Sequence, residues 1–430
     1  MPTATLAIEA EDFLAKALLW ADSFETACLL HSNEFGDPYA NIQSLLAVGV
    51  HREIVADGDN TFEKIEAFKT KHPQEWMLGF FGYDLKNEIE DLHTALPDEL
   101  EFPDAYFFVP EIVFRFQHGK VTIDTLEAVN AQDIYDRICS TSLLFDSTNL
   151  AKPFRKRMSK EAYMQSFQQL KQHIQRGDIY EVNLCQEFYQ ENCAIHPPSI
   201  YWELNTVSPT PFSTFFKFRE HYILSASPER FIAKRGTTLL SQPIKGTAKR
   251  GNTENEDQEI IQRLKSDPKE IAENVMIVDL VRNDLTRSAK AGSVAAERQP
   301  QVHTFRQVHQ LISTITCEID PNVTDLEAIK RIFPAGSMTG APKLRAMQLC
   351  ERYEKSKRGV YAGAVGYFAP DGAFDFNVVI RTLLYNSRKQ YLSFHTGGAI
   401  TIDAEAEKEY SECLLKANAI LMALHTQLED

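Results

Sequence analysis

The sequence lacks the signatures of several large protein classes. It carries no GxGxxG fingerprint and no phosphate-binding P-loop, so nothing in it points to a nucleotide cofactor. Its seven cysteines form no CxxC pair and no metal-ligand spacing. That odd, unpaired number fits a reduced, cytoplasmic interior. No apolar run approaches the ~18 residues of a membrane span, and the N-terminus, MPTATLAIEAEDF, has neither the basic nor the apolar region of a secretory leader. The expectation is a cytoplasmic protein without membrane contact. Clustered positive charge is missing too: the formal net charge is −15 and the Lys and Arg residues are scattered, which argues against a nucleic-acid surface. An anionic small substrate would therefore need a locally basic pocket.

What is present is a folded chain of 430 residues, 43% hydrophobic and 24% charged, with no repeat or low-complexity tract. That length allows one large unit or two. The first 150 or so residues mix short β-like runs (CLLHS, LLAVGV, YFFVPEIVFRF) with helical stretches, and a polar passage from Phe145 to Lys152 reads as a connector. Beyond it, helical periodicity from Ser159 to Gln175 starts at a serine cap and closes at Gly177. Strands YEVNLCQEF, STFFKF, YILSAS and FIAKRG follow, then a helix over Asp267–Arg282. Strands at Gly363–Phe368, Phe376–Leu384 and Gln390–Phe394 precede a terminal helix from about Ala404 to Leu428. Strands and helices come in grouped runs, which favours an α+β, mixed-sheet fold over a doubly wound parallel sheet.

Three features carry chemistry. Glu270 and Glu273, and Glu409 and Glu412, are i, i+3 pairs, each on one face of an expected helix. If the pairs converge, four carboxylates suit Mg²⁺; on spacing alone, a solvated face is the commoner reading. On the terminal helix Lys416 falls in line with Glu409 and Glu412, opposite an apolar stripe of Tyr410, Leu414, Ala417, Leu421 and Leu424. Arg381, inside the apolar run NVVIRTLL, must pair with an anion or leave the core. Lys245 in PIKGT sits between isoleucine and glycine, where lost solvation is expected to lower its pKa and make it a nucleophile or base.

Eight segments stand in order along the chain: GDIYEVNLCQEF, SASPERF, PIKGTAKRG, ENVMIVDLVRNDL, GSMTGAPK, YAGAVGYF, FNVVIRT and EYSECLLKANA. Together they resemble the chorismate-utilising enzymes, and within them the aminodeoxychorismate synthase component I branch, over about residues 155 to 425; GFFGYDL is similar to the family's N-terminal region. The resemblance implies one large α/β unit with two central β-sheets packed together and helices outside. Residues 1–150 would then be an N-terminal region intertwined with a chorismate-binding catalytic region, 151–430.

The resemblance also implies roles. Glu270, Glu273, Glu409 and Glu412 would hold Mg²⁺ and, through it, the ring carboxylate of chorismate. Tyr361, Arg381, Gly397 and Gly398 would bind the enolpyruvyl carboxylate, with Lys416 and Thr339 on the substrate side. Glu229 in SPERF would be the general acid for loss of the C4 hydroxyl. Lys245 stands where anthranilate-forming members have alanine (PIAGT); it would add to C2 before ammonia enters at C4. The closest rival within the family is anthranilate synthase component I. Nothing in the sequence resembles a glutaminase, so a separate glutamine amidotransferase subunit is expected to supply the ammonia.

Several positions depart from the family pattern. Glu181 replaces a glutamine common in ammonia-using members, and a lysine base in water-using ones. Gln310 replaces a histidine, so His309, one place early, is given no catalytic role. Ala399 replaces a third glycine, and Asp403-Ala404-Glu405-Ala406-Glu407 replaces the usual start of the last helix. Leu29-Leu30-His31-Ser32 lies where some relatives begin a tryptophan site.

Overall fold

A computed structural model describes residues 3–429 except 9–11, 41, 127–128, 146–149, 151, 298–299 and 307. Most of the expected connector Phe145–Lys152 therefore lies outside the described residues. Two large sheets dominate, and every strand pair in them is antiparallel. The 12-stranded sheet runs from N-terminal strands such as Ser44–Val48 and Thr26–His31, through Phe212–Phe218, His221–Ser227 and Thr382–Asn386, to Tyr391–Ile400 and Glu181–Gln190. The nine-stranded sheet sets Thr238–Gln242, Arg230–Arg235, Phe374–Val378 and Ala364–Phe368 beside Met77–Phe81 and Ala105–Val109. Both sheets thus take strands from either side of residue 150. A third, three-stranded sheet pairs Ile244–Lys249 with Val308–Ile312 and Gln301–Thr304.

The two large sheets bury their facing sides against each other, as alternating strands with one apolar side must. Aromatic rings interdigitate across the gap: Phe216 meets Phe80 and Phe108 at 5.6 and 6.0 Å, and Phe218 meets Tyr106 at 4.0 Å between centroids. Helices cover the other side of the 12-stranded sheet, where Ala417, Ile420 and Leu421 of the C-terminal helix join Phe13, Tyr201 and Leu383 in a second core. The α+β expectation, with two packed sheets and helices outside, is borne out. No helix among the described residues is long and apolar enough to cross a membrane, and all seven cysteines are free thiols.

Local signals place the helices well. Ser159 Oγ accepts from Ala162 N at 3.2 Å to start Lys160–Gln175, and Asp267 accepts from Lys269 N and Glu270 N to start Pro268–Thr286. The run Phe376–Leu384 is not one strand. Phe374–Val378 belongs to the nine-stranded sheet and Thr382–Asn386 to the 12-stranded one, with Arg381 between them at φ 51°. Its largely apolar pattern reflects passage through the interface between the sheets, where both sides of the chain are buried. The terminal helix is shorter than expected, Ala406–Ala423.

Replacing Phe216 by Ala should cost about 3–5 kcal/mol of unfolding free energy, measured by denaturant titration, because the ring fills the gap between sheets. A loss below about 1 kcal/mol would show that this interface is not the core that holds the fold.

Candidate active site

Three candidate residues sit where the chain changes sheets. Glu229 lies between strand His221–Ser227 of one large sheet and Arg230–Arg235 of the other, and Arg381 marks the return. Lys245 follows Pro243 at the step from the nine-stranded to the three-stranded sheet. Its strand slips register against Val308–Ile312 between Ile244 and Thr247, a bulge of the kind that re-aims a side chain. Gly246 makes the bulge possible: its φ is +93°, and a Cβ there would lie 2.8 Å from Glu270 Oε2 and 2.9 Å from Leu311 Cδ1.

The bulge sends Lys245 Nζ to within 2.6 Å of Glu181 Oε1 and 3.8 Å of Glu273 Oε2. The expectation of a lowered lysine pKa is corrected here. Burial does pull it down, but Glu181, Glu273 and Glu412 outweigh burial and the net direction is up. The apolar neighbours in sequence are not the neighbours in space. Lys245 therefore rests as an ammonium, and Glu181 is its acceptor.

Glu229 is the opposite case. It is 5% exposed, and burial pushes its carboxyl up to about 7 against the Ser337 hydrogen bond, the charge of Lys245, the Ile244 N–H and the charge of Arg381. Ser337 Oγ donates to Glu229 Oε1 at 2.6 Å. A carboxyl titrating near neutrality is suited to give up a proton in that range. Arg381, whose pKa burial lowers, has only the charge of Glu229 acting against that. A desolvated guanidinium at a strained backbone position calls for a further anion.

The two acidic pairs face one another from different helices. Helix Pro268–Thr286 packs on the strand of Lys245, and the C-terminal helix packs on Tyr391–Ile400. Lys269 feels all four carboxylates. Glu273 and Glu412 are matched by Lys269 and Lys416, at 3.7 and 2.9 Å. Glu270 and Glu409 are in no ion pair among the described residues, and both are raised, by burial first and then by the neighbouring glutamates Glu273 and Glu412 respectively. Hard oxygen donors with unneutralised charge fit a divalent cation in chemistry. Among the described residues, no three His, Cys, Asp or Glu side chains are drawn close enough together to hold one.

The remaining candidates adjoin these. Gly398 lies under Glu409, where a Cβ would fall 2.7 Å from Oε2. Lys416 Nζ donates to Gly397 O at 2.9 Å. Tyr361 is stacked on His395 at 4.9 Å, its hydroxyl 3.7 Å from Cys185 Sγ, which in turn abuts Gly397. The Thr339 hydroxyl is taken up by its own loop, donating to Gly336 O at 3.1 Å. Gln310 is buried beside Thr247, with Nε2 3.4 Å from Thr247 Oγ1. His309 pins the same strand, between Thr304 Oγ1 at 2.9 Å and Asp257 Oδ1 at 3.0 Å. Leu30, His31 and Ser32 line a separate cavity with Phe35, Arg230 and Tyr367. Ser337 has no role that its sequence motif alone would reveal, because a serine in a glycine-rich turn has many local uses.

A family model described as chorismate binding enzyme matches residues 26–422. The anthranilate synthase component 1 of Lactococcus lactis is 34% identical over 358 residues, covering 80% of this chain and 78% of the relative. The aminodeoxychorismate synthase component 1 of Escherichia coli is 35% identical over 349 residues, covering 81% of this chain and 76% of the relative. Among solved structures, anthranilate synthase component I from Streptococcus pneumoniae matches with a TM-score of 0.76 at 27% identity, covering 90% of this chain and 95% of that one.

The buried Glu229 makes a stability prediction whose sign is fixed. Its folded value of about 7 lies above the ordinary 4.5, so the fold loses stability as pH rises through that window. Glu229→Gln should therefore be more stable than the parent at pH 8, by on the order of 3 kcal/mol, and equal to it near pH 4. The check is denaturant unfolding at both pH values; an equal difference at both would show that Glu229 is not desolvated.

Proposed function

The chain belongs to the family of chorismate-binding enzymes, and we propose that within it this member aminates chorismate at C4 with ammonia, giving 4-amino-4-deoxychorismate, the first step toward p-aminobenzoate. The near-equal identities to the two named synthases, 34% and 35%, do not separate amination at C4 from anthranilate formation. The observation that carries the choice is Lys245, aimed by its bulge and held against a carboxylate acceptor at 2.6 Å.

On this reading Glu181 takes a proton from Lys245, and the freed Nζ adds to C2 of the ring. The diene electrons shift as the C4–O bond breaks, and Glu229 delivers its proton so that the oxygen departs as water. Ammonia adds at C4, the diene shifts back, and the C2–Nζ bond breaks with its electrons returning to Lys245. Glu181 then returns its proton to Lys245, and the new C4 ammonium reprotonates Glu229. Arg381 and the Tyr361 hydroxyl, with the Gly397 and Gly398 backbone, receive the enolpyruvyl carboxylate; Lys416 and Thr339 lie on the substrate side. Glu270, Glu273, Glu409 and Glu412 would hold Mg²⁺, which when bound would anchor the ring carboxylate and offset its charge. The ammonia would come from a separate glutamine amidotransferase subunit, as the designation component 1 on both relatives suggests.

The test supplies chorismate, Mg²⁺ and an ammonium salt at alkaline pH to the purified chain and identifies the products by mass. Aminodeoxychorismate without pyruvate is expected, and Lys245→Ala should lose at least about 100-fold of that activity. Anthranilate with pyruvate would instead establish the rival reaction. Glu181→Gln should lower kcat about 10- to 100-fold with little change in KM, since it removes the proton acceptor but not the binding groups. An unchanged kcat would take Glu181 out of the step.

A further inference from the structure

The group that must release a proton is gripped by one that the reaction does not consume. The carboxyl of Glu229 has one side-chain hydrogen-bond donor among the described residues, Ser337 Oγ at 2.6 Å, and one backbone donor, Ile244 N–H. Ser337 is itself fixed. Its carbonyl accepts from Asn183 Nδ2 at 3.0 Å, two positions along the strand from Glu181. Lys343 Nζ ties down the loop before it, donating to Ile332 O at 2.9 Å and Pro334 O at 3.0 Å while pairing with Asp284 of the helix that bears Glu270 and Glu273. A Cβ on the adjoining Gly336 would lie 2.8 Å from Leu280 Cδ2, so the turn rests directly on that helix. The backbone that carries the hydroxyl is therefore held in place, and the hydroxyl itself is held by its bond to Glu229 Oε1.

We propose that Ser337 is the positioning residue of Glu229: its hydroxyl fixes the plane of the carboxyl and keeps the proton of that acid releasable to the substrate. The physical need is plain. Burial alone favours the protonated form so strongly that the acid would hold its proton, and a donor to the carboxylate counters this directly. After burial, the Ser337 bond is the largest influence on Glu229, and it acts in the opposite direction, ahead of the charges of Lys245 and Arg381. Those two cations are engaged when substrate binds, Lys245 by its bond to C2 and Arg381 by a carboxylate. Ser337 takes part in neither contact and keeps its hydrogen bond to the carboxyl.

The inference rests on Glu229 being the general acid, and the test separates the two. Infrared difference titration follows the Glu229 carboxyl, its band assigned by loss in Glu229→Gln. In Ser337→Ala the midpoint should rise by about half to one pH unit, because a hydrogen bond to the charged form is lost, and Ser337→Thr should restore it. Because the acid acts when protonated, activity falls as pH passes its midpoint. The alkaline limb of the kcat profile in Ser337→Ala should move up by the same amount, with plateau kcat down about tenfold and KM for chorismate within about twofold. An unchanged midpoint in Ser337→Ala, with native circular dichroism, overturns the inference alone. A shifted midpoint with an unchanged rate profile overturns Glu229 as the acid and the inference with it. Should Ser337→Ala not fold, Ser337→Cys replaces it, since its thiol is a weak donor: a raised midpoint supports the inference and an unchanged one overturns it.

Discussion

The packing of the two large sheets face to face decides where the chemistry can be. Aromatic rings such as Phe216, Phe80 and Tyr106 seal the gap, so the chain passes from one sheet to the other only at a few edges of that core. At those crossings the strand pairing is interrupted, and Arg381 and Gly246 take positive φ. Glu229 and Arg381 occupy two crossings between the large sheets, and Lys245 a third, into the small sheet. The site is a by-product of how the sheets are joined.

That placement sets the electrostatics. Lys245 is surrounded by Glu181, Glu273 and Glu412 and keeps its charge despite burial. Glu229 is more deeply desolvated, is in no ion pair among the described residues, accepts from Ser337 and Ile244, and keeps its proton to about neutrality. In the proposed reaction an acid that holds a proton and an amine beside a carboxylate acceptor would be complementary halves of a displacement at one ring. Separate environments, 16 positions from one another in sequence, hold them in opposite states, which the sheet crossings make possible.

Much of this architecture was legible in the chain. Ser159 and Asp267 marked helix starts because a cap is a local contract between a side chain and the next few N–H groups. The pairs Glu270 and Glu273, Glu409 and Glu412 were legible as faces because helical spacing is local as well. The Phe376–Leu384 run misled because an apolar pattern records burial and not which sheet does the burying. Lys245 misled for a related reason: its solvation was judged from Ile244 and Gly246, while the carboxylates that govern it come from residues 64 and 28 positions away.

The sequence by itself determined the α+β class, the helix starts at Ser159 and Asp267 and, through eight ordered segments, the family, since each depends on residues adjacent in the chain or on motifs kept in order. The tertiary structure alone decided the charge state of Lys245, the acidity of Glu229 and the place of Ser337. Ionisation follows the charges and water that surround a group in space, and a backbone that crosses between sheets brings together neighbours that no linear pattern records.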